Sequence, residues 1–361
     1  MGLPDIDIIF RQKAVTAIKR SQRGIACVIV QDDTPGEAGY ETYKYEKDIP
    51  TERYGAEILK ALKKCFYVAV NKIIVLHIPE EAEFSDALDI LDTIKYNYVC
   101  TTIEGAQQEL VNYLVSKNRN TKGRKFIGIV FNATTADSKY IINVKNSWVH
   151  DVDADEQVDM ENYLPRLTSI LANLPMNRSC TYYELEDIDE VDMDFITTEK
   201  DIDSWIDDGY LCLIKDDDKI KIGRGVNSLT TFTSTDSEDM KKIIIVESMN
   251  LIEEDIFTTY KNYYVGKYKN HYDNQCLFMS AVNTYFRELQ REEILDPEFD
   301  NRSFVDVELQ RDAWLAIGKI EAQDWTAEKV KRMTFKSNLF LAGDIKILDA
   351  MEDLRFTINM E

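Results

Sequence analysis

One α/β domain and one α+β domain in a multidomain chain, with extended strand arms at both ends, is the architecture that three features of the sequence predict. Apolar runs of strand character alternate with helical periodicity through the first half of the chain. Two long helical patterns and short strands follow a polar Thr/Ser stretch at 227–239. Both termini alternate apolar and polar residues: Ile6, Ile8 and Phe10 share one face at the start, and Leu354, Phe356, Ile358 and Met360 share one face at the end.

With 361 residues, 44% of them hydrophobic, the chain can bury a substantial core, and its length predicts two or three domains. The net charge of -22 argues against general binding to nucleic acid or to anionic membranes, which needs Lys and Arg in excess. No apolar run approaches the roughly 18 residues of a membrane span. The N-terminus lacks a signal peptide's apolar core, so a cytosolic protein is expected. Cys27, Cys65, Cys100, Cys180, Cys212 and Cys276 are widely spaced with no C-x-x-C, which points to buried free thiols and away from disulfides or zinc.

In chain order, GIACVIVQDD reads as a buried strand running into a Pro35-Gly36 turn, and Ile58, Leu59, Leu62 and Phe66 place a helix over 51–66. KIIVLHI is a strand at 72–78, SDALDILDTI a helix with Ser85 as its N-cap, IEGAQQELVNYLVSKNRN another helix, and RKFIGIVFN a strand. One further strand is predicted over 140–149, then a helix carrying Leu164, Leu167, Leu171 and Leu174. Strand and helix thus alternate, as in a layered α/β domain with a partly parallel sheet. EKDIDSWIDDG is a short helix ended by Gly209, and YLCLIKDDDKIKIG a hairpin turning at 216–218. Beyond 239 come a long helix ended by Gly266, a loop at 267–275, a second amphipathic helix over 276–295 and a strand or helix start at FVDVEL.

Catalytic and metal chemistry finds little material. There is no G-x-x-x-x-G-K-[ST] and no G-x-S-x-G, and His77, His150 and His271 stand in no metal-binding frame. His77, within an apolar strand, reads as a core residue. Asp151, Asp153 and Asp155 match the first three ligands of a calcium loop, but Glu156 stands where Gly is needed and Asn162 where a bidentate Glu belongs, so a solvated acidic loop is expected. The acidic stretch 184–194 alternates carboxylates with Leu185, Ile188 and Val191, a pattern in which one face packs and the other meets water, and a solvated surface is the expectation. No cofactor or metal is predicted. Lys329, Lys331, Arg332 and Lys336 form the densest late basic cluster, a local exception in an acidic chain and a candidate contact for an acidic partner.

The terminal strands must pair with something. Either the C-terminal strand closes an edge of the chain's own sheet, or both ends add to the sheets of neighbouring copies and make a polymer.

GRGVNSLTTFT, YYVGKYKNHYDNQ, AVNTYFRELQREEILDPEFDN, the ending GDIKILDAMEDLRFTINM and the N-terminal GLPDIDIIFRQKAVTAIKRSQRGIACVIVQD together resemble the tail sheath proteins of contractile phages and of phage-tail-like bacteriocins, in the short form found in Gram-positive bacteria. The similarity is weakest over 101–158. It implies a structural protein with no enzymatic activity: a sheath subunit that polymerises with itself as hexameric discs around an inner tube protein and contracts, working with baseplate and tail terminator proteins, with no nucleic acid bound and no membrane inserted. The implied layout is an N-terminal arm at 1–22, an outer α/β sheath domain at 23–225, a tube-proximal α+β domain at 226–347 and a C-terminal arm at 348–361. Ile6, Ile8, Phe10, Leu354, Phe356 and Ile358 are then the donated faces, Lys329, Lys331, Arg332 and Lys336 the contact to the inner tube, and 11–23 and 348–353 flexible connectors. Assembly in the host bacterial cytoplasm and release within a tail or bacteriocin particle are expected. The competing class is a cytosolic α/β enzyme or metal-binding protein.

Overall fold

The computed structural model describes residues 17–360, which divide into two compact units, one of 21–254 with 349–360 and one of 17–20 with 255–348. The division at 254/255 falls inside a helix.

The larger unit begins with β1 (Ile25–Gln31), β2 (Gly39–Tyr43), α1 (Ala56–Lys64), β3 (Lys72–Ile78), α2 (Phe84–Thr93), β4 (Tyr98–Thr101), α3 (Gln107–Asn120), β5 (Ile127–Phe131) and β6 (Ile141–Val144). It continues through β7 (Trp148–Asp151), β8 (Glu156–Asp159), α4 (Met160–Asn173), β9 (Glu184–Leu185), β10 (Ile188–Val191), α5 (Ile202–Asp207), β11 (Tyr210–Leu211), β12 (Leu213–Asp216) and β13 (Lys219–Ile222). Seven strands form one sheet in the order β11-β6-β5-β4-β1-β3-β2, parallel throughout except at the β2 edge. The strand order reverses at β1, between β4 and β3, which makes this a doubly wound sheet.

Both faces of the sheet are covered, so its strands read as continuous apolar runs instead of alternating ones. Ala26, Val28 and Val30 of β1 pack with Leu62 of α1 and with Tyr163, Leu164, Leu167, Ile170 and Leu171 of α4. Ile25, Cys27 and Ile29 pack with Leu91 of α2 and with Leu110, Val111 and Leu114 of α3. Five of the six cysteines are buried and none is bonded to another. Burial raises their thiol pKa values, to about 12 for Cys100, Cys180 and Cys212.

Several expectations are corrected. The first helix starts at Ala56, because Asp32 Oδ2 accepts the Gly55 N–H at 2.6 Å and fixes the chain in a turn before it. Ser85 lies inside α2, and Glu83 takes the N-cap position without a side-chain cap bond. The single strand expected over 140–149 is two strands in different sheets, β6 and β7. Fully buried Asn146 stands between them, accepting the Leu213 N–H at 2.7 Å and donating to Asp192 O and Leu213 O at 2.8 and 3.0 Å. Strands β2 and β4 were not anticipated.

The acidic stretch is not wholly a solvated surface, since Asp187 and Asp192 are buried. Asp187 meets Arg166 Nε at 3.4 Å, the Tyr163 hydroxyl at 3.2 Å and Lys64 Nζ at 3.7 Å. Lys64 Nζ also lies 2.5 Å from Asp151 Oδ2, so the first carboxylate of the calcium-like run turns inward to a lysine, and the run folds as the β7–β8 hairpin. No group of side chains able to hold a metal ion occurs among the described residues. His77 is in the core as expected, but its Nδ1 has no hydrogen-bond partner, and burial lowers its pKa.

The hairpin β12–β13 turns as predicted, with Asp217 and Asp218 both at positive φ (48° and 62°). α6 (Ile243–Thr259) follows, its residues beyond Glu254 belonging to the smaller unit.

In the smaller unit α6 ends in a π-helical turn, Tyr260–Tyr264, before Gly266 at φ 74°. Then come α7 (Tyr272–Arg291), β14 (Arg302–Val305), α8 (Val307–Ala316), α9 (Ala327–Arg332) and β15 (Leu341–Asp344). Tyr260 and Tyr264 pack on Phe278, Trp314 packs on Trp325 and Phe335, and buried Asp255 accepts the Tyr285 hydroxyl at 2.7 Å. The described end of the expected N-terminal connector is docked, with Ile18 buried, Lys19 N donating to Thr259 Oγ1 at 3.0 Å and Arg20 paired with Glu292 at 2.8 Å.

Asp187→Ala removes one anion from a site holding two buried cations, Lys64 and Arg166. The expected cost is about 3–5 kcal/mol, read as a lowered urea midpoint at unchanged slope.

Candidate assembly surfaces

The C-terminal segment has two parts that the fold treats oppositely. Its root is tied down by carboxylates: Asp349 and Glu352 both pair with Lys242, the latter at 3.3 Å, and Asp353 pairs with Arg224 at 2.6 Å. Glu352 Oε1 also accepts from Thr181 Oγ1 at 2.6 Å and from Ser179 Oγ at 3.1 Å. Burial alone would lower the pKa of Lys242, yet its two carboxylates hold it above the ordinary value. The hydrogen bond to Asp353 does the same for Arg224. In this structure the expected connector over 348–353 is held by these contacts.

Beyond Asp353 the chain is bare. Leu354, Phe356, Ile358 and Met360 are 90%, 75%, 70% and 92% exposed, and Arg355, Thr357 and Asn359 between them are exposed as well. No residue of 351–360 belongs to a strand. The alternating pattern thus has no partner strand among the described residues, and it closes no edge of the sheets they form. Ile6, Ile8 and Phe10 lie outside the described residues.

Among the described residues, the smaller unit holds one two-stranded ladder with an unpaired edge. β14 and β15 form an isolated antiparallel pair, a unit that is marginal on its own. Ser303 N donates to Asn283 Oδ1 of α7 at 2.7 Å, so Ser303 points its main chain away from β15. Its register partner Gly343 therefore directs its own N–H and C=O to the opposite, open edge, and Leu341, two residues away, does likewise.

Lys329, Lys331 and Arg332 are brought together on α9, whose N-cap Thr326 accepts from Lys329 N at 3.3 Å, and Lys336 sits in the turn that follows. The four are not equivalent. Lys331 is paired with Glu328 at 2.7 Å, while Lys329 lies over Trp325, Arg332 over Tyr272 and Lys336 over Phe335 at 5.1, 5.4 and 5.3 Å from the ring centroids.

The place where a doubly wound sheet would bind a ligand, at the carboxyl ends of its strands beside the order reversal, is an open crevice. Gln31, Thr102, Glu57, Glu104, Asp159 and Glu161 line it, with no basic residue. Burial, with Asp159 and Glu104 nearby, raises the Glu161 pKa. Such a crevice repels the phosphates that this fold position commonly takes. Sequence reasoning missed Ser179, Thr181 and Lys242. Arg224 was visible only as the middle of the GRG run.

Two family models match the chain, the phage tail sheath protein central domain over residues 79–228 and the phage tail sheath C-terminal domain over 235–361. The tail sheath protein of Clostridium phage phiCD119 is 31% identical over 370 residues, covering 99% of each chain. Among solved structures, the sheath tail protein of Listeria innocua is similar at TM-score 0.65 and 13% identity, covering 81% of this chain and 91% of its own. The helical sheath of the anti-feeding prophage in its contracted state is similar at TM-score 0.69 and 11% identity over 100% of both chains. Full-length identity to a tail sheath protein, two sheath-domain matches that meet at the Thr/Ser stretch and a shared fold lead to one assignment: the chain belongs to the phage tail sheath family.

Proposed function

We propose that this chain is the repeating subunit of a contractile sheath, polymerising as hexameric discs around an inner tube and contracting to drive that tube through a target cell envelope. The observation that carries the reading is the bare arm, four alternating apolar side chains with no cover among the described residues. Strand addition to the open edge of β15 on a neighbouring copy would bury them. Each apolar side chain covered contributes about 1.5–3 kcal/mol, and each main-chain hydrogen bond about 1 kcal/mol net. The N-terminal face of Ile6, Ile8 and Phe10 would add to a neighbour in the same way.

Contraction then needs no nucleotide. An extended lattice is held by tube and baseplate contacts, and a second lattice buries more surface between subunits, so release at one end shifts the population along the polymer. The solved relatives include a contracted sheath and a baseplate of the anti-feeding prophage, both polymeric assemblies. The smaller unit would face the tube through Lys329, Arg332 and Lys336, the three cations of the cluster that lack a carboxylate within ion-pair distance among the described residues. Lys331 would act as part of the same patch. Assembly in a bacterial cytoplasm and release in a phage tail or a phage-tail-like bacteriocin complete the reading. The enzyme alternative is disfavoured by the acidic, cation-free crevice at the sheet's reversal point.

Three experiments test it. Electron microscopy and sedimentation of the full-length protein should show hollow tubes, whereas a chain ending at Ala350 should stay a folded monomer; two monomers with the same melting temperature would refute strand donation. Leu341→Pro, at the first position of β15 where proline is tolerated, removes an outward N–H and should block tube growth while leaving the circular dichroism of the monomer intact. Reversing Lys329, Arg332 and Lys336 to Glu should abolish co-assembly with an inner tube but leave self-association unchanged. Normal tube-bound assembly would remove the proposed contact.

A further inference from the structure

The root of the arm sits in a site assembled from three separate stretches of chain: Ser179–Thr181, the Gly223-Arg224-Gly225 run and Lys242. Its parts are also bonded to one another. Thr181 Oγ1 accepts the Gly225 N–H at 2.9 Å and lies 3.0 Å from Ser179 Oγ, which orients both hydroxyls toward Glu352. Residue 225 must be small, because a Cβ there would lie 2.6 Å from Cys180 Sγ. The Glu352 side chain is only 5% exposed, in a segment whose next residue, Asp353, is 77% exposed at its side chain. A tail that merely trailed from the fold would have no reason to bury a carboxylate against two hydroxyls and a lysine.

We propose that Ser179, Thr181, Arg224 and Lys242 form a releasable carboxylate cradle that gives the C-terminal arm two lengths, short when Asp349, Glu352 and Asp353 occupy it and long when they leave. The proposal rests on the strand-donation reading for its purpose. With the root held, the residues beyond Asp353 reach about 26 Å when extended, and release back to Asp349 adds about 16 Å. A polymer whose subunits change spacing needs such slack if donated strands are to stay paired. Hydrogen bonds and ion pairs at a partly open site supply it better than apolar packing, because they can be exchanged for water and are weakened by salt. The GRG run thereby acquires a role as the arm's mooring, with Arg224 binding Asp353 and Gly225 orienting Thr181.

The test uses the full-length protein and compares cleavage by a glutamyl endopeptidase after Glu352 with trypsin cleavage after Arg355. Loss of the tail is followed by intact mass, and each rate is normalised to a peptide of residues 346–361. In the unassembled fraction of the unaltered protein at low salt the Glu352 site should be cut at least about tenfold more slowly than its peptide, with the Arg355 site near the peptide rate. Lys242→Met combined with Arg224→Met should restore rapid cutting at Glu352 and leave Arg355 unchanged. Thr181→Val, a smaller change that spares the charges, should give an intermediate rate. Tubes of the Met variant should show a spread of axial repeats where those of the unaltered protein show one. Cutting at Glu352 at the peptide rate in the unaltered protein, or slow cutting that the variants do not relieve, would overturn the cradle. A protected Glu352 in protein that never forms tubes would support the cradle and count against strand donation, so the two ideas fail separately.

Discussion

Alternating apolar side chains on an extended segment lower their free energy only when a second strand and a packed face are supplied, and nothing among the described residues supplies them to Leu354, Phe356, Ile358 and Met360. That unmet requirement gives meaning to features that are otherwise unremarkable. The β14–β15 pair is too small to be a finished sheet, and its open edge presents the main-chain groups of Leu341 and Gly343. The doubly wound sheet, by contrast, is complete, with helices on both faces and a last parallel strand of only two residues, β11, at one edge. One unit holds a covered seven-stranded sheet and the other a bare two-stranded pair.

The unit with the covered sheet was the more legible in sequence. β1, β3 and β5 are uninterrupted apolar runs because they are buried on both faces, and the helices between them show apolar residues at three- and four-residue steps. What escaped was set by single tertiary contacts. The β6–β7 break depends on the three hydrogen bonds of Asn146, and the late start of α1 depends on Asp32 reaching Gly55. β4 is four residues long, too short for periodicity to register, and β2 is an edge strand whose burial alternates but whose inward positions include Gly39 and Glu41, so no apolar stripe marks it.

The candidate surfaces divide the same way. The bare face of the arm could be read directly, because its alternation is a property of consecutive residues. Its mooring could not, since Thr181, Arg224, Lys242 and Glu352 are far apart in the chain and each is an ordinary surface residue type. Charge misled in the stretch 184–194, where the excess of carboxylates suggested solvent but Asp187 was drawn inward by Lys64 and Arg166, two cations from α1 and α4. Counting charges along a segment reports its average environment, whereas burial is decided one partner at a time.

The cysteines carry a consequence for any particle built from such subunits. Thiol exchange and oxidation proceed through the thiolate, and burial holds Cys27, Cys65, Cys100, Cys180 and Cys212 in the protonated form, out of reach of small oxidants. These five thiols are thereby kept from covalent change when the surroundings turn from reducing to oxidising, which leaves half-buried Cys276 as the accessible one among the six. As far as those five are concerned, the particle's mechanical behaviour after release would then be the behaviour with which it was assembled.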